Sequence, residues 1–455
     1  MFQTGMTGSW EDAGRVAAVS HPRAREDLVQ YGTAGFRTKA ELLDHVLYRM
    51  GLLAVLRSRA KQGAAIGVMV TASHNPAPDN GVKLVDPAGE MLEAAWEPLA
   101  TRLANCPDSD LPAQLAALET ELGLSGASGG TVILGRDTRP SSPALAAACL
   151  AGVAAAGGVA RDLGVVTTPQ LHYLVVATNT NGGYGEPSLP GYYDKICGAF
   201  KKFMGLVGPA GSYNPTIVFD GANGVGAAAM LEFQSRLAGV LECRLVNTGE
   251  GELNSGCGAD FVKVSQAGPA GLGGLQSGRR CVSVDGDADR VVYYYTNQAG
   301  QFRLLDGDRI ASLVAAHIQQ LLAAAGLGTE LRLGLVQTAY ANGGSTRYIG
   351  AELGVPVACT PTGVKHLHHA ALQFDIGVYF EANGHGTVVF SDKAVELIRV
   401  RGGEKLSTLL DVVNQTVGDA ISDLLVVECV LADRGWDCPQ WDSCYQVGWR
   451  CMTAG

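Results

Sequence analysis

The chain is organised around the stretch Val68-Met69-Val70-Thr71-Ala72-Ser73-His74-Asn75-Pro76. The apolar run that begins at Ile66 predicts a buried strand, and small residues, polar residues and a proline end it after Val70. Ser73 is therefore expected in a loop at the end of a strand, where α/β folds bind their ligands. With His74 beside it and Lys83 a few residues on, Ser73 is a candidate covalent catalyst.

The composition excludes several classes of protein. The chain has 455 residues, of which 47% are hydrophobic, so a packed core and about three domains are expected. Its net charge of −10 disfavours a general nucleic-acid binder, although a local basic cluster can still bind an anionic substrate. No apolar run reaches the length of a membrane-spanning helix, and the N-terminal residues do not resemble a targeting segment. We therefore expect a cytoplasmic protein that contacts neither nucleic acid nor membrane.

Strands and helices alternate along the chain, which predicts parallel, doubly wound α/β sheets. In the first part, a helix is expected over 40–60 and strands over 66–70, 81–85 and 131–135. A loop rich in glycine and proline at 178–191 predicts a domain boundary. The scheme of strand, polar loop and helix then appears twice more, so the sequence predicts three units of similar architecture.

Three segments have weaker patterns. Residues 107–130, rich in alanine, serine and glycine, are expected to be a connector. Residues 405–433 are expected to form one helix. The tail, residues 434–455, is rich in tryptophan and cysteine and has no usable period.

The aspartates Asp285, Asp287 and Asp289 are spaced by two. In an extended segment such residues point to the same side, so three carboxylates would converge, at a cost in free energy unless a cation is bound. Oxygen ligands of this kind suit Mg²⁺. An EF-hand is excluded, because Arg290 and Thr296 stand where that loop requires Gly and Glu. The alternative is a solvated acidic turn.

Ser73 has three interpretations. A hydrolase nucleophile would lie in G-x-S-x-G, but Ala72 and His74 flank this serine. An ordinary loop serine needs no role. A phosphoserine would bring nearly two negative charges and would complete the Mg²⁺ shell left open by the aspartates. Only the third interpretation explains both motifs.

Two other polar segments invite comparison with cofactor sites. The loop from Gly221 to Gly226 does not match G-x-G-x-x-G, so a dinucleotide site is disfavoured. His366, His368 and His369 lie early in a predicted helix, where a polar helix start is favoured over a zinc site.

Glu381, Asn383 and His385 alternate after a predicted strand. A carboxylate, an amide and an imidazole in this order suit a hydroxyl-rich ligand. A polar β-turn is the alternative, and the residues alone do not decide between them.

Together these loops resemble those of the α-D-phosphohexomutase family. Three segments are similar to its phosphoserine, metal-binding and sugar-binding loops: Thr71–Pro76, Asp285–Arg290 and Glu381–His385. Four more segments are similar to that family: Tyr31–Arg37, Asp79–Lys83, Gly135–Pro140 and Thr362–His369. The resemblance covers about residues 28–443.

The resemblance implies three related mixed α/β domains around a cleft, with a fourth domain that grips a substrate phosphate. The implied limits are 1–185 for the domain with the phosphoserine loop, 186–299 for the domain with the metal loop and 300–425 for the domain with the sugar loop. No loop of the form R-x-S-G-T follows residue 400. The fourth domain is therefore expected to be absent, with residues 426–455 as a linker or tail in its place.

The resemblance also implies an activity. Phosphorylated Ser73 would donate its phosphoryl group to N-acetylglucosamine 6-phosphate, and the resulting 1,6-bisphosphate would reorient and return its 6-phosphoryl group. N-acetylglucosamine 1-phosphate, a precursor of UDP-N-acetylglucosamine, would leave. The implied cofactor is Mg²⁺ bound by Ser73, Asp285, Asp287 and Asp289. The implied partner is a small sugar phosphate.

By the same resemblance, the catalytic residues besides Ser73 are Arg37, His74 and Lys83. The implied substrate-binding residues are Arg290, Thr362, Gly363, Glu381, Asn383 and His385. Two alternatives stay open at this point. The chain could be a truncated, weakly active or inactive form that acts only as a binding fragment, or its sugar could be glucose or mannose.

Overall fold

The computed structural model describes residues 9–23, 26–208, 211–274 and 277–445. The chain divides into two compact units, residues 1–192 and residues 193–455. Parts of the predicted N-terminal extension, and residues 446–455 of the predicted tail, lie outside the described residues. The predicted domain limits at 185, 299 and 425 stay a prediction.

The first unit contains one five-stranded sheet in the order β1-β3-β2-β4-β5. Its strands are β1 (Phe36–Lys39), β2 (Ile66–Val70), β3 (Asp79–Val85), β4 (Thr131–Arg136) and β5 (Val159–Val165). Its helices are α1 (Trp10–Ser20), α2 (Asp44–Ala60), α3 (Glu97–Asn105), α4 (Leu111–Glu121), α5 (Ser142–Ala155) and α6 (Thr168–Asn179). Helix α7 (Leu189–Gly205) contains the division between the units.

The second unit contains two sheets. The five-stranded sheet has the order β10-β9-β8-β6-β7, with β6 (Thr216–Asp220), β7 (Glu242–Val246), β8 (Cys281–Val284), β9 (Val291–Thr296) and β10 (Phe302–Leu305). The four-stranded sheet has the order β12-β11-β13-β14, with β11 (Leu333–Thr338), β12 (Val357–Thr360), β13 (Ile376–Phe380) and β14 (Gly386–Phe390).

Nine α-helices of the second unit follow α7 in the described residues. They are α8 (Val225–Leu237), α9 (Ala259–Ser265), α10 (Gly307–Ala324), α11 (Gly343–Arg347), α12 (Val364–Ala371), α13 (Asp392–Arg401), α14 (Gly403–Val412), α15 (Ala420–Arg434) and α16 (Cys438–Asp442). In the part of the chain that the structure describes, no helix is both long enough and apolar enough to cross a membrane.

Strand β2 lies at the centre of the first sheet, and all of its residues are buried. Val68 and Val70 belong to a core that helices α2 and α5 complete, while Met69 belongs to the core on the α6 side. The unbroken apolar run of the sequence therefore reflects a strand covered on both faces.

All three sheets are mixed, as the family resemblance implied. Strand β2 is parallel to β4 but antiparallel to β3, and β6 and β8 are parallel while β8 and β9 are antiparallel. The parallel sheets predicted from alternation were therefore wrong in detail. Only residues 71–78 join β2 to β3, and so short a link cannot make the crossover that parallel strands require.

Two of the weaker segments differ from their predictions. The connector over 107–130 contains α4, whose Leu111, Leu115 and Leu118 are buried at helical spacing. The single helix expected over 405–433 is two helices, α14 and α15. Asp419 caps α15 by accepting hydrogen bonds from the amides of Ile421 and Ser422 at 3.1 and 3.0 Å, and this cap begins a new helix.

The tail packs in the second unit as far as residue 445. Trp441 is fully buried, and its indole N–H donates to the carbonyl of Arg309 at 3.2 Å. Asp442 accepts hydrogen bonds from Tyr295 Oη at 2.9 Å and Arg303 Nε at 2.6 Å. This short segment therefore belongs to the core, although its sequence shows no period.

Candidate active site

Ser73 lies in the loop after β2 in a strained conformation. It is fully buried, and its φ of +51° is in the left-handed region that residues other than glycine seldom adopt. Its amide donates to Thr71 Oγ1 at 2.9 Å, and its Oγ is 3.5 Å from Nδ1 of His74. Strain of this kind is typical of functional loops, where the surrounding structure enforces it.

The end of strand β4 supports this loop. Asp137 accepts hydrogen bonds from Thr71 Oγ1 at 2.8 Å and Ser142 Oγ at 2.7 Å. Burial raises the pKa of the Asp137 carboxyl, while Arg139 and the hydroxyl donors oppose that effect. Asp137 and Arg139 belong to the segment Gly135–Pro140, which the sequence had linked to the family without a role.

Arg37 and Lys83 share one face of the first sheet. Arg37 on β1 lies opposite Gly81 on β3, and Lys83 lies opposite Met69 on β2. Opposite residues of antiparallel strands, and residues two apart in one strand, have side chains on the same face. The structure therefore brings these two predicted cations to the sheet that carries Ser73. Lys83 is buried and Arg37 is half-buried.

The three aspartates lie between β8 and β9 in the second unit. All three are buried, and each offers a carboxylate oxygen within 4.8 Å of the others. The carboxylates converge, but through a tight turn rather than the extended segment that the spacing predicted. Ala288 has a φ of +57°, and its amide donates to the carbonyl of Asp285 at 3.1 Å.

These carboxylates fit a hard divalent cation. Burying three like charges together is unfavourable unless a cation neutralises them, and carboxylate oxygens are the ligands that Mg²⁺ prefers. No other cluster of potential metal ligands occurs among the residues that the structure describes. His366 and His369 are exposed, so the zinc alternative has no support.

The loop after β6 supports the metal loop, a role that the sequence did not reveal. The amide of Val225 donates to the carbonyl of Gly286 at 3.2 Å. A side chain at Gly224 would lie 2.5 Å from that same carbonyl oxygen, so only glycine fits. Asp220 accepts from Ser283 Oγ at 2.7 Å. The sequence does show a glycine-rich turn after a predicted strand. Which loop this turn contacts is decided only by the tertiary structure, in which β6 lies next to β8.

Arg290 closes the metal loop. Its Nη1 donates to Asp260 Oδ1 at 3.1 Å, and its Nε lies 3.9 Å from Asp285 Oδ2 and 3.8 Å from Asp289 Oδ1. Burial alone would lower the pKa of Arg290, but these carboxylates raise it. The side chain is therefore a fixed cation beside the three aspartates.

The predicted sugar loop turns between β13 and β14. Glu381 Oε1 accepts from the amide of Gly363 at 3.3 Å, and Asn383 Oδ1 accepts from the amide of His385 at 3.0 Å. His385 is buried, with Nδ1 2.8 Å from the carbonyl oxygen of Asp289. Burial alone would lower the pKa of His385, but the Asp289 carboxylate raises it above its usual value.

The sugar loop and the metal loop pack directly on each other. The amide of Val291 donates to the carbonyl of Gly384 at 3.1 Å. Gly384 has a φ of +89°, and a Cβ there would lie 1.9 Å from the carbonyl oxygen of Val291. Thr362 is exposed beside Gly363, in the segment before α12. Of the predicted site residues, the structure thus brings Arg290, Gly363 and the sugar loop together with the aspartates in the second unit.

Two family models match parts of the chain. The model described as phosphoacetylglucosamine mutase AMG1, domain III, matches residues 306–436. The model described as phosphoglucomutase/phosphomannomutase, alpha/beta/alpha domain I, matches residues 45–104 and 113–184.

Curated relatives match almost the whole chain. The phosphoacetylglucosamine mutase of Sus scrofa is 49% identical over 445 residues, which are 95% of this chain and 81% of that protein. The phosphoacetylglucosamine mutase of Homo sapiens is 48% identical over 448 residues, 95% of this chain and 82% of the relative.

Solved structures agree with this assignment. The N-acetylphosphoglucosamine mutase of Aspergillus fumigatus has a TM-score of 0.93 and 47% identity, and the match covers 97% of this chain and 84% of that one. An N-acetylglucosamine-phosphate mutase of the α-D-phosphohexomutase superfamily, in its product complex, has a TM-score of 0.92 and 41% identity. That match covers 96% of this chain and 84% of the other chain. With such identity over nearly its full length, the chain belongs to the phosphoacetylglucosamine mutase family.

Proposed function

We propose that this chain interconverts N-acetylglucosamine 6-phosphate and N-acetylglucosamine 1-phosphate, with Ser73 as the phosphoryl carrier. The observation that carries the proposal is the buried, left-handed Ser73 at the end of β2, in a chain 49% identical to a named phosphoacetylglucosamine mutase. The structure of a serine-to-alanine variant of an Aspergillus fumigatus relative is in complex with glucose 1,6-bisphosphate. A sugar bisphosphate is the type of intermediate that this reaction requires.

The reaction consists of two phosphoryl transfers. In the first, the sugar O1 bonds to phosphorus as the bond between phosphorus and Ser73 Oγ breaks, and the O1 proton passes to Ser73 Oγ. After the bisphosphate turns round, Ser73 Oγ bonds to the phosphorus of the 6-phosphoryl group as the bond between that phosphorus and O6 breaks, and the Ser73 hydroxyl proton passes to O6. Such transfers depend on alignment and charge stabilisation rather than on further covalent chemistry.

Two residues of the first sheet are proposed to assist these transfers. Arg37 and Lys83 share one face of that sheet and would stabilise the charge of the transferring group. Lys83 and His74 are candidates to move the proton of the attacking hydroxyl.

Mg²⁺ is the cofactor that we propose for Asp285, Asp287 and Asp289. A relative from Aspergillus fumigatus is in complex with GlcNAc-6P and magnesium. A bound Mg²⁺ supplies positive charge that neutralises a phosphoryl group. The participation of Ser73 in the metal shell stays a prediction from the sequence.

Sugar recognition is proposed for the loop between β13 and β14. Glu381 and Asn383 would accept and donate hydrogen bonds to the sugar hydroxyls in both orientations of the bisphosphate. Arg290, Thr362, Gly363 and His385 are proposed as further substrate contacts. Their support is the contact of Gly363 with Glu381 and of His385 with Asp289.

The alternative sugar specificity has a direct test. Glucose or mannose specificity keeps some support from the phosphoglucomutase/phosphomannomutase model that matches the first unit, and a panel of hexose phosphates tests it. The cytoplasmic location stays a prediction. The matched relatives extend beyond this chain, which covers 81% of the Sus scrofa protein.

A mutase assay of residues 1–455 tests the proposal. With Mg²⁺ and a trace of glucose 1,6-bisphosphate, the wild type should convert N-acetylglucosamine 6-phosphate, and intact mass should show one phosphate that Ser73→Ala lacks. Ser125→Ala, an exposed serine in the same unit, is the control and should behave as the wild type. A wild type without turnover and without phosphate on Ser73 would instead support the binding-fragment alternative.

A further inference from the structure

One guanidinium holds the backbone of the phosphoserine loop. Nη2 of Arg139 donates to the carbonyl oxygens of Ser73 at 2.8 Å and Asn75 at 3.0 Å. Nη1 donates to the carbonyl oxygen of Pro76 at 2.9 Å. The whole side chain is buried, so these contacts are shielded from water.

The arrangement suits arginine and no other residue. Nε of Arg139 donates to Asp137 Oδ2 at 2.9 Å, so the guanidinium uses four of its five N–H donors on this carboxylate and the loop. Asp137 balances the buried charge, and it is itself joined to the loop through Thr71. A lysine ammonium is a point charge and cannot span three carbonyls and a carboxylate.

The held carbonyls include that of Ser73 itself. Ser73 has a left-handed backbone, a conformation that the surroundings must enforce. Because phosphoryl transfer requires in-line alignment, displacing the carrier by about 1 Å costs roughly 100-fold in rate. We propose that Arg139 is a positioning residue that holds Ser73 Oγ in the orientation from which the phosphoryl group is transferred. The inference rests on the proposed role of Ser73.

Arg139→Lys tests this role. We expect kcat to fall about 100-fold with KM within about threefold of the wild type, because the loop orientation changes while sugar binding does not. Phosphorylation of Ser73 by glucose 1,6-bisphosphate, followed by intact mass, should slow by a similar factor. The matched control is Arg136→Lys. Arg136 is paired with Asp162 near the surface, and its replacement should leave both measurements within about threefold.

A purely structural role makes a different prediction. If Arg139 were only structural, its replacement would lower the melting temperature and leave kcat of the folded protein unchanged. A folded Arg139→Lys protein with kcat and Ser73 phosphorylation near the wild-type values would therefore overturn the inference. If the lysine variant does not fold, the double variant Asp137→Asn/Arg139→Gln replaces it. That variant leaves no unpaired buried charge and should show the same loss of rate.

Failure of this inference and failure of the proposed function are distinguishable. A wild type that accepts no phosphate on Ser73 rejects the proposed function, and this inference with it. If the wild type and the Arg139 variants transfer phosphate equally well, only the inference is rejected.

Discussion

At the scale of single residues, two sets of buried titratable side chains affect the behaviour of the protein. Asp285, Asp287 and Asp289 are buried together within 4.8 Å, where like charges repel. In the first unit, His45 is buried, and Nε2 of its ring has no hydrogen-bond partner among the described residues. Both arrangements have measurable consequences, one for metal binding and one for acid stability.

Asp287→Asn should remove most of the stabilisation that Mg²⁺ gives the protein. Removing one of three like charges should keep or raise the melting temperature of the metal-free protein. It should also remove most of the rise that Mg²⁺ causes, because ligand binding stabilises the folded state. Thermal denaturation with a chelator and with Mg²⁺ measures both effects. Asp411→Asn, in an exposed pair with Arg399, should keep the wild-type response, and equal Mg²⁺ stabilisation of both variants would contradict the site.

His45 should make the protein less stable in acid. Burial, with Arg49 and Arg23 nearby, lowers the pKa of His45 to about 4 from its usual value of 6.5. The unfolded chain therefore binds the proton first. The stability that neutral His45 provides is complete above pH 6.5 and is lost as pH falls toward 4, by at most about 3 kcal/mol.

Urea denaturation between pH 7 and pH 4 measures this loss. His45→Gln should flatten the dependence relative to the wild type, whereas His366→Gln, at an exposed histidine, should keep the wild-type slope. Parallel slopes for all three proteins would show that His45 contributes nothing to acid sensitivity.

At the scale of elements, the site depends on turns that pack against each other. The hairpin between β13 and β14 contacts the start of β9 through Gly384 and Val291. The loop after β6 contacts the same metal loop through Gly224. Backbone contacts of this kind hold the loop that carries the aspartates.

Gly384→Ala should disturb both loops. The added methyl group would lie 1.9 Å from the carbonyl oxygen of Val291, so the backbone must move as well as tolerate a φ of +89°. We expect a loss of about 2–4 kcal/mol and weaker Mg²⁺ binding, measured by chemical denaturation and metal titration.

Gly403→Ala separates the two causes. Gly403 has a φ of +71° but no atom within 4 Å of an added Cβ. Its replacement should cost only the left-handed strain of about 1 kcal/mol and leave Mg²⁺ binding unchanged. If both variants lost the same stability and bound Mg²⁺ alike, the close approach at Gly384 would be irrelevant to the site.

At the scale of the molecule, the second unit is completed by residues late in the chain. Tyr293 meets Trp441 edge to face at 5.3 Å, and Arg280 on the approach to β8 donates to the buried Glu428 of α15 at 2.9–3.0 Å. The five-stranded sheet of this unit therefore needs α15 and α16 for its core.

Trp441→Ala should destabilise the second unit by about 3–5 kcal/mol, since a fully buried indole is removed. Hydrogen exchange of amides in β9 and α10 should accelerate more than that of amides in β2. Trp436→Ala, at a partly buried tryptophan, should cost less. Unchanged exchange in β9 after Trp441→Ala would mean that the tail does not support this sheet.

The sequence by itself determined the fold class, the family and the residue types of the loops. Apolar runs that end in polar residues predict strands followed by ligand loops, since both signals are local in the chain. The α/β fold and the family prediction were confirmed by the solved relatives. The convergence of the three aspartates was also predicted, although from an extended segment rather than from the turn that carries them.

Only the tertiary structure decided which loops support one another. The contact of Arg139 with Ser73 joins residues far apart in the chain, as do the contacts of Gly224 with Gly286 and of Trp441 with Arg309. Strand order, antiparallel pairing and these contacts depend on how distant segments pack, which no local period encodes. The sequence therefore indicated Ser73 as the phosphoryl carrier, while the fold revealed the buried arginine that holds its loop.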